Sequence, residues 1–238
     1  MIGAKAENVN YFVIGSTAAP FQIEEDGKKH RGIITDILQR MSPKNFKYKT
    51  ITLPFKRYSK ALENSRDYWV TYGSDVWDGP QSWNNSKEYL FEVKHVFFSL
   101  KDKKITKIED LFNKRIILIT GFAYPELEKY LKTGRIKALR VNDHEAAIAA
   151  VEKGRGIAFP EMDLRLRYHL RLQQKNAQKY QYSVIPGILK PYKIFMAYSR
   201  NFPESLKQDF DSKIKEYRSN GTMGKIIMKY VDYNYQVF

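Results

Sequence analysis

The side chains that could do covalent chemistry are sparse. Four histidines, His30, His95, His144 and His169, stand at positions with no metal-ligand spacing. There is no cysteine, which removes thiolate zinc sites, disulfides and cysteine nucleophiles together. No G-x-S-x-G elbow, phosphate loop or dinucleotide fingerprint occurs, so no catalytic residue, metal or cofactor is assigned and the chain reads as a non-enzyme. What the sequence does hold is recognition chemistry. Trp77 and Trp83 fall in a segment from Gly73 to Tyr89 (GSDVWDGPQSWNNSKEY) whose Gly, Ser, Asp and Asn content predicts a long loop. Two indoles in such a segment cover either a ligand or the parent domain. Gly121, Phe122, Ala123 and Tyr124 follow an aliphatic run, and a glycine there lets backbone amides at a helix entrance face a ligand.

These residues need elements to hold them. Tyr11-Phe12-Val13-Ile14 has no polar alternation, as expected of a strand covered on both faces. The loop Gly15 to Phe21 follows, ended as a strand by Pro20, at the carboxyl end where open α/β sheets bind ligands. After a charged turn at Glu24-Glu25-Asp26-Gly27, Gly32 to Leu38 enters a helix. Phe46 to Leu53 alternates as a half-buried strand, and Pro54 opens a helix through Leu62. Trp69 to Tyr72 and Phe91 to Leu100 read as strands. Thr106 with Glu109 forms a capping box, and Arg115 to Ile119 is a buried strand leading to the Gly121 loop and a helix, repeating the organisation of the first strand and loop. Ala138 to Val141 is a short strand, Asn142-Asp143 caps a helix from His144 to Lys153, and Gly154 stops it. Asp163 to Lys175 (DLRLRYHLRLQQK) reads as a solvated helix or an edge, and Leu206 to Tyr230 as helix, Gly221 stop, helix.

Composition bounds the class. At 238 residues and 43% hydrophobic content the chain has enough apolar surface for one large or two modest cores. Lys and Arg outnumber Asp and Glu 41 to 26, a formal net charge of +15. The excess is spread through the chain without a basic arm or nucleic-acid motif, so it reads as solvated surface and no nucleic-acid partner is expected. No apolar run approaches the roughly 20 residues that span a bilayer. Ala4-Lys5-Ala6 before Glu7 fits the small-x-small end of a signal-peptide cleavage site, so a removed secretion signal and a periplasmic location are expected.

The order of these pieces resembles the family 3 periplasmic solute-binding proteins. The resemblance is carried by Pro20-Phe21, Asp26-Gly27-Lys28, Gly32 and Asp36-Ile37-Leu38, by Pro54, Phe55 and Arg57, by Ile105 to Leu111, by Gly154 to Glu161 and by the closing Ile214, Tyr217, Gly221-Thr222, Ile226 and Tyr230. It spans residues 11 to 231. It implies a type II periplasmic binding fold, α/β, with two lobes joined by two crossing strands: residues 1–95 and 200–238 form lobe 1, and 96–199 form an inserted lobe 2. A ligand is then expected between the lobes, with closure following.

The resemblance also implies site residues. Phe21 is either a core-capping aromatic or a wall of the ligand site, and Arg57 either a helix-surface cation or a cleft residue. Where the family has Thr-x-x-Arg, whose arginine forks onto an amino-acid carboxylate, this chain has Ser86-Lys87-Glu88-Tyr89. Lys87 lacks the planar fork, and Tyr89 offers a hydroxyl and a ring, so amino-acid specificity does not carry across. The family's first acidic position in its "GrvDa...d" pattern is occupied by Ile157; Glu161 stands for the second, as a ligand contact or a surface carboxylate. The expected role is capture of a small polar solute for an ABC importer, as a monomer meeting the transporter's membrane subunits. The alternatives are the sensing module of a signalling system, or a cleft enzyme like the cyclohexadienyl dehydratases, for which Glu161 or Asp75 are the carboxylates at hand.

Overall fold

A run of buried residues from Val9 to Ile14 forms the first strand, β1, covered along its whole length. The structure is a computed structural model that describes residues 9–15, 17–25, 29–44, 46–77 and 83–231. The Ala4-Lys5-Ala6 reading, the Asp26-Gly27-Lys28 turn and residues 78–82 of the expected loop lie outside those residues. Two compact units divide the chain, one of Met1–Glu92 with Tyr192–Phe238, the other of Val93–Pro191. The chain therefore leaves and re-enters the first unit once each.

From β1 the chain runs through the antiparallel pair β2 (Ile23–Glu25) and β3 (Lys29–Arg31) to helix α1 (Ile33–Met41), whose buried face is Ile33, Ile34, Ile37, Leu38 and Met41. Gly32 enters that helix at φ 124°, and a Cβ there would stand 2.5 Å from the Phe21 carbonyl, so only glycine fits. Next come β4 (Tyr48–Leu53), α2 (Phe55–Asn64), β5 (Tyr68–Gly73) and β6 (Trp83–Val93). The expected loop through Tyr89 is thus wrong from Trp83 onward. Tertiary packing overrides the Asn- and Ser-rich composition: the buried Ser86 hydroxyl accepts from the Met196 amide at 3.1 Å and the Trp83 ring lies against Gly73.

The second unit begins with β7 (His95–Leu100), separated from β6 by Lys94, so the expected single strand Phe91–Leu100 is two. A short 3-10 turn at Ile108–Leu111 precedes β8 (Arg115–Ile119). Its capping carboxylate is Asp110, which accepts from the Thr106 amide and hydroxyl and from the Lys107 amide, rather than Glu109. Then follow α3 (Pro125–Lys132), β9 (Lys137–Val141), α4 (His144–Glu152), β10 (Phe159–Met162), α5 (Asp163–Leu172) and β11 (Tyr180–Ser183). Asp143 caps α4 by accepting from the Ala146 amide at 2.8 Å. β8 pairs in parallel with β9, and an isolated parallel bridge, Ile116 to Ala158, joins β8 to the segment entering β10. β7 lies between β10 and β11, antiparallel to both. Helix α5 is not a solvated edge: Leu164, Arg165, Leu166, Tyr168 and Leu170 are buried, and Leu166 and Leu170 join the core of Val96, Phe98, Ile117, Ile148 and Phe159.

The chain returns through β12 (Tyr192–Ser199), α6 (Glu204–Ser219) and α7 (Thr222–Met228). The first unit's sheet has the order β4-β1-β5-β12-β6, with β4, β1 and β5 parallel and β12 antiparallel to β5. The closing helices clasp α1: Gly32 N–H donates to the Tyr230 hydroxyl at 2.9 Å, Lys213 to the Met41 carbonyl at 2.8 Å, and Lys229 to Asp36 at 3.0 Å.

Candidate functional site

Because β4, β1 and β5 run in parallel, their carboxyl ends lie along one edge of the first sheet. The segments that leave that edge carry Pro54 to Arg57, Gly15 to Phe21, and Ser74 to Trp77. This is the edge at which open α/β sheets hold ligands. β12 enters antiparallel to β5, with Phe195 opposite Gly73, so Tyr192 starts the strand beside that edge.

Aromatic side chains line up there. Phe91 stacks on Phe21 at 6.0 Å, Phe21 on Tyr72 at 5.6 Å, Tyr72 meets the Trp77 edge at 5.8 Å, and Trp77 meets Tyr192 at 5.8 Å. Phe21 is fully buried within this column, so it is the core-capping aromatic and not the free wall. Trp77 and Tyr192, both half-buried, are its outer members. Trp83 packs on the backbone of Gly73, where a Cβ would stand 2.9 Å from the ring's Cη2. Arg57 is exposed on α2.

Tyr89 is not open either. The Arg218 guanidinium lies 3.8 Å from its ring centroid and the Lys193 ammonium 4.6 Å, while Arg218 also donates to the Tyr89 carbonyl and to Glu88, each at 2.8 Å. The protein's own cations therefore use the ring.

A residue that sequence reasoning missed, Gln22, pins the first loop. Its side-chain oxygen accepts from the Ile14 amide at 3.0 Å, and its nitrogen donates to the Tyr11 hydroxyl at 3.1 Å and the Phe12 carbonyl at 2.8 Å. The signal was an amide side chain directly after Pro20-Phe21, among residues otherwise read as core.

In the second unit the parallel strands β8 and β9 likewise end together, at Ile119 and Val141. The Thr120–Tyr124 loop leaves β8. Thr120 donates to the Val141 carbonyl at 2.8 Å, Phe122 to the Ile119 carbonyl at 3.3 Å, and the Ile119 amide to the Tyr124 hydroxyl at 3.1 Å. Gly121 and Ala123 are exposed, Phe122 is half-buried and Tyr124 is buried.

Beneath the loop lies a charge cluster. Glu161 is only 2% exposed, so it is neither an open ligand contact nor a surface carboxylate. One of its oxygens accepts from the Met162 amide at 2.8 Å and from Arg165 at 3.3 Å, the other from His144 Nε2 at 3.0 Å. His169 stacks on His144 with centroids 4.4 Å apart and planes within 5°. His95 stands on β7 opposite Met162, one position along from Glu161. Three of the four histidines thus meet around one carboxylate although none has motif spacing. Among the described residues, no group of His, Asp and Glu is arranged to hold a metal ion.

Electrostatics follow from burial and charge. Burial pushes the Glu161 carboxyl up, but Arg165, the His144 hydrogen bond and His95 outweigh it and hold the group well below the usual carboxylate range. Burial, reinforced by His144 and Arg165 and opposed by Glu161, lowers His169 to about 3. Burial also lowers His95, against the pull of Glu161. The Tyr124 hydroxyl is raised, by burial first and by Glu161 second.

Neither a protein-family model nor a curated protein matches the chain. Solved structures do. The open conformation of substrate-binding domain 2 of Lactococcus lactis GlnP matches with a TM-score of 0.70 at 18% identity, covering 99% of each chain. The chain has the fold of the type II periplasmic binding proteins. A structure from work on glutathione import by GshT and the cystine ABC importer TcyBC of Streptococcus mutans matches this binding-protein fold with a TM-score of 0.73 at 17% identity, covering 94% of each chain. The GluR0 ligand-binding core with L-glutamate matches with a TM-score of 0.70 at 11% identity, over 96% of this chain and 99% of that one. The matches cover 94–99% of the chain, both units included.

Proposed function

We propose that this protein is an extracytoplasmic solute-binding protein that captures a small polar solute for an ABC importer. The observation that carries the reading is likeness along nearly the full length to substrate-binding components, GlnP domain 2 among them. No helix among the described residues is long and apolar enough to cross a membrane, which is compatible with a separate membrane partner.

The side chains at the family's zwitterion-binding positions do not favour a plain α-amino acid as the solute. The position of the family's carboxylate-binding arginine carries Tyr89, whose ring is taken by Arg218 and Lys193. Glu161, the remaining acidic candidate for an ammonium group, spends its charge on Arg165 and His144. Trp77 and Tyr192 at the edge of the first unit favour a solute with a ring or a cationic group that stacks on aromatic faces.

A thermal-shift screen of amino acids, polyamines, sugars, aromatic acids and other carboxylates tests this, because a ligand stabilises the fold by an amount that grows with its concentration over its dissociation constant. Ring-bearing or cationic solutes are expected to raise the transition more than glycine or glutamate. No shift from any of them would sink the proposal. The likeness to the GluR0 ligand-binding core favours one second reading, a ligand-sensing module. Gene neighbourhood separates the two: importer subunits beside the gene speak for transport, a signalling protein for sensing.

A further inference from the structure

We infer that Glu161 is a positioning residue for the Thr120–Tyr124 loop, setting Arg165 and His144 against the Phe122 ring and so fixing the exposed backbone from Gly121 to Ala123. The inference rests on the solute-binding reading, in which that loop presents its backbone to a ligand. The contacts form a continuous path. Glu161 holds Arg165 at 3.3 Å and His144 at 3.0 Å. The Arg165 guanidinium lies 5.7 Å from the Phe122 ring centroid, and the His144 ring meets Phe122 edge-on at 6.2 Å. His144 is clamped from another side by the stacked His169 at 4.4 Å. Phe122 is the one side chain of the loop's exposed stretch that reaches inward, since Gly121 has none and Ala123 is exposed.

Stability alone is a poor reason to keep such a cluster. Desolvating two charges costs about as much as their attraction returns, and an apolar replacement of both is often neutral or stabilising. What an ion pair adds is direction. A carboxylate with both oxygens engaged allows few arrangements of its two partners, and the ring above them inherits that restriction. The charged and titratable groups facing the cluster include His95 on β7, Glu126 on α3, Arg140 on β9, His144 on α4, Glu161 on β10, Arg165, Tyr168 and His169 on α5, and the Tyr124 hydroxyl at the loop's end.

Hydrogen exchange on the full chain, followed by peptide-resolved mass spectrometry, tests the assignment. In Glu161→Gln the hydrogen-bonded loop amides of Thr120 and Phe122 are expected to exchange about tenfold faster, the scale of losing one buried cation–ring contact and its charge-assisted hydrogen bond, while those of β8 and α4 change little. The double variant Glu161→Gln/Arg165→Met removes both charges. If Glu161 only neutralises Arg165, this variant restores the loop to wild-type protection and the inference fails; if Glu161 positions the loop, thermal stability recovers but the loop still exchanges fast. Equal acceleration across β8, α4 and the loop in Glu161→Gln would also overturn it. Should that variant not fold, Phe122→Leu keeps every charge in place and is expected to release the loop alone; unchanged loop exchange there counts against the inference. None of these measurements needs a ligand, so an empty solute screen, which would remove the solute-binding reading, leaves their outcome legible.

Discussion

Trp77 stands at the outer end of a ring column whose inner end, Phe21, is sealed in the core, so its position is set by Tyr72 behind it and Tyr192 beside it. Replacing it removes a pre-oriented face together with its contacts to Tyr72 and Tyr192. Trp77→Ala is expected to weaken a ring-bearing solute by roughly three- to tenfold, the worth of one aromatic contact, and to lower the melting point of the free protein modestly; calorimetric titration of the folded variant measures the affinity, and an unchanged affinity would clear Trp77 of a binding role. Two partly buried histidines give a second expectation at this scale. Burial lowers His169 to about 3 and lowers His95, so between their ordinary range and those values the unfolded chain binds protons that the folded chain refuses. Stability must fall as pH drops through that window. Glu161, held low in the fold, adds a further loss at more acidic pH, where the unfolded carboxyl protonates first. Scanning calorimetry from pH 8 to about 4 should show a falling transition temperature. His169→Phe, which keeps a ring against His144 without a titrating group, should flatten the upper part of that fall. Glu161 was singled out in the sequence but its partners were not: residues 95, 144, 161 and 169 come from a strand, a helix start, a strand end and a helix that only tertiary packing brings together.

Elements were legible where local chemistry and burial agree. The unbroken apolar run of β1, the Asp143 cap and Gly154 stop of α4, and the repeated strand–loop–helix at Arg115 to Lys132 each declare themselves in a short window. β6 did not, since Trp83-Asn84-Asn85-Ser86 looks like a loop until β12 supplies a partner and Gly73 a seat for the indole. That seat is testable. Gly73→Ala would set a methyl group 2.9 Å from Trp83 Cη2, so the ring must move; a cost of about 1–3 kcal/mol and a changed tryptophan emission are expected, checked by urea unfolding and fluorescence. Gln22→Ala would strip the Ile14 amide of its partner inside the core, and about 1–3 kcal/mol of destabilisation is expected for the orphaned group. An unchanged urea midpoint would mean that another group takes over the amide. α5 misled for a different reason: its alternation of leucine and arginine hides that Arg165 is one of the buried members, paired inside with Glu161.

For the molecule as a whole, the sequence carried the architecture further than the specificity. Motifs at both ends of the chain pointed to one fold, and likeness over 94–99% of the chain to three solved structures bears that fold out at identities of 11–18%. Specificity depends on which side chains are already engaged by the protein itself, and that is invisible in one dimension: the sequence left Phe21 and Glu161 each with two readings and offered the Tyr89 ring to a ligand, and each of the three is engaged within the chain. Among the described residues, the proposed site joins the Trp77 edge of the first unit and the exposed backbone of the Gly121 loop in the second. Hydrogen exchange of the full chain with and without the best solute from the thermal screen tests that claim most directly. The account predicts added protection at residues 74–77 and at 120–124, the carboxyl-edge loops of each unit; protection confined to other segments, with both loops unchanged, would contradict it.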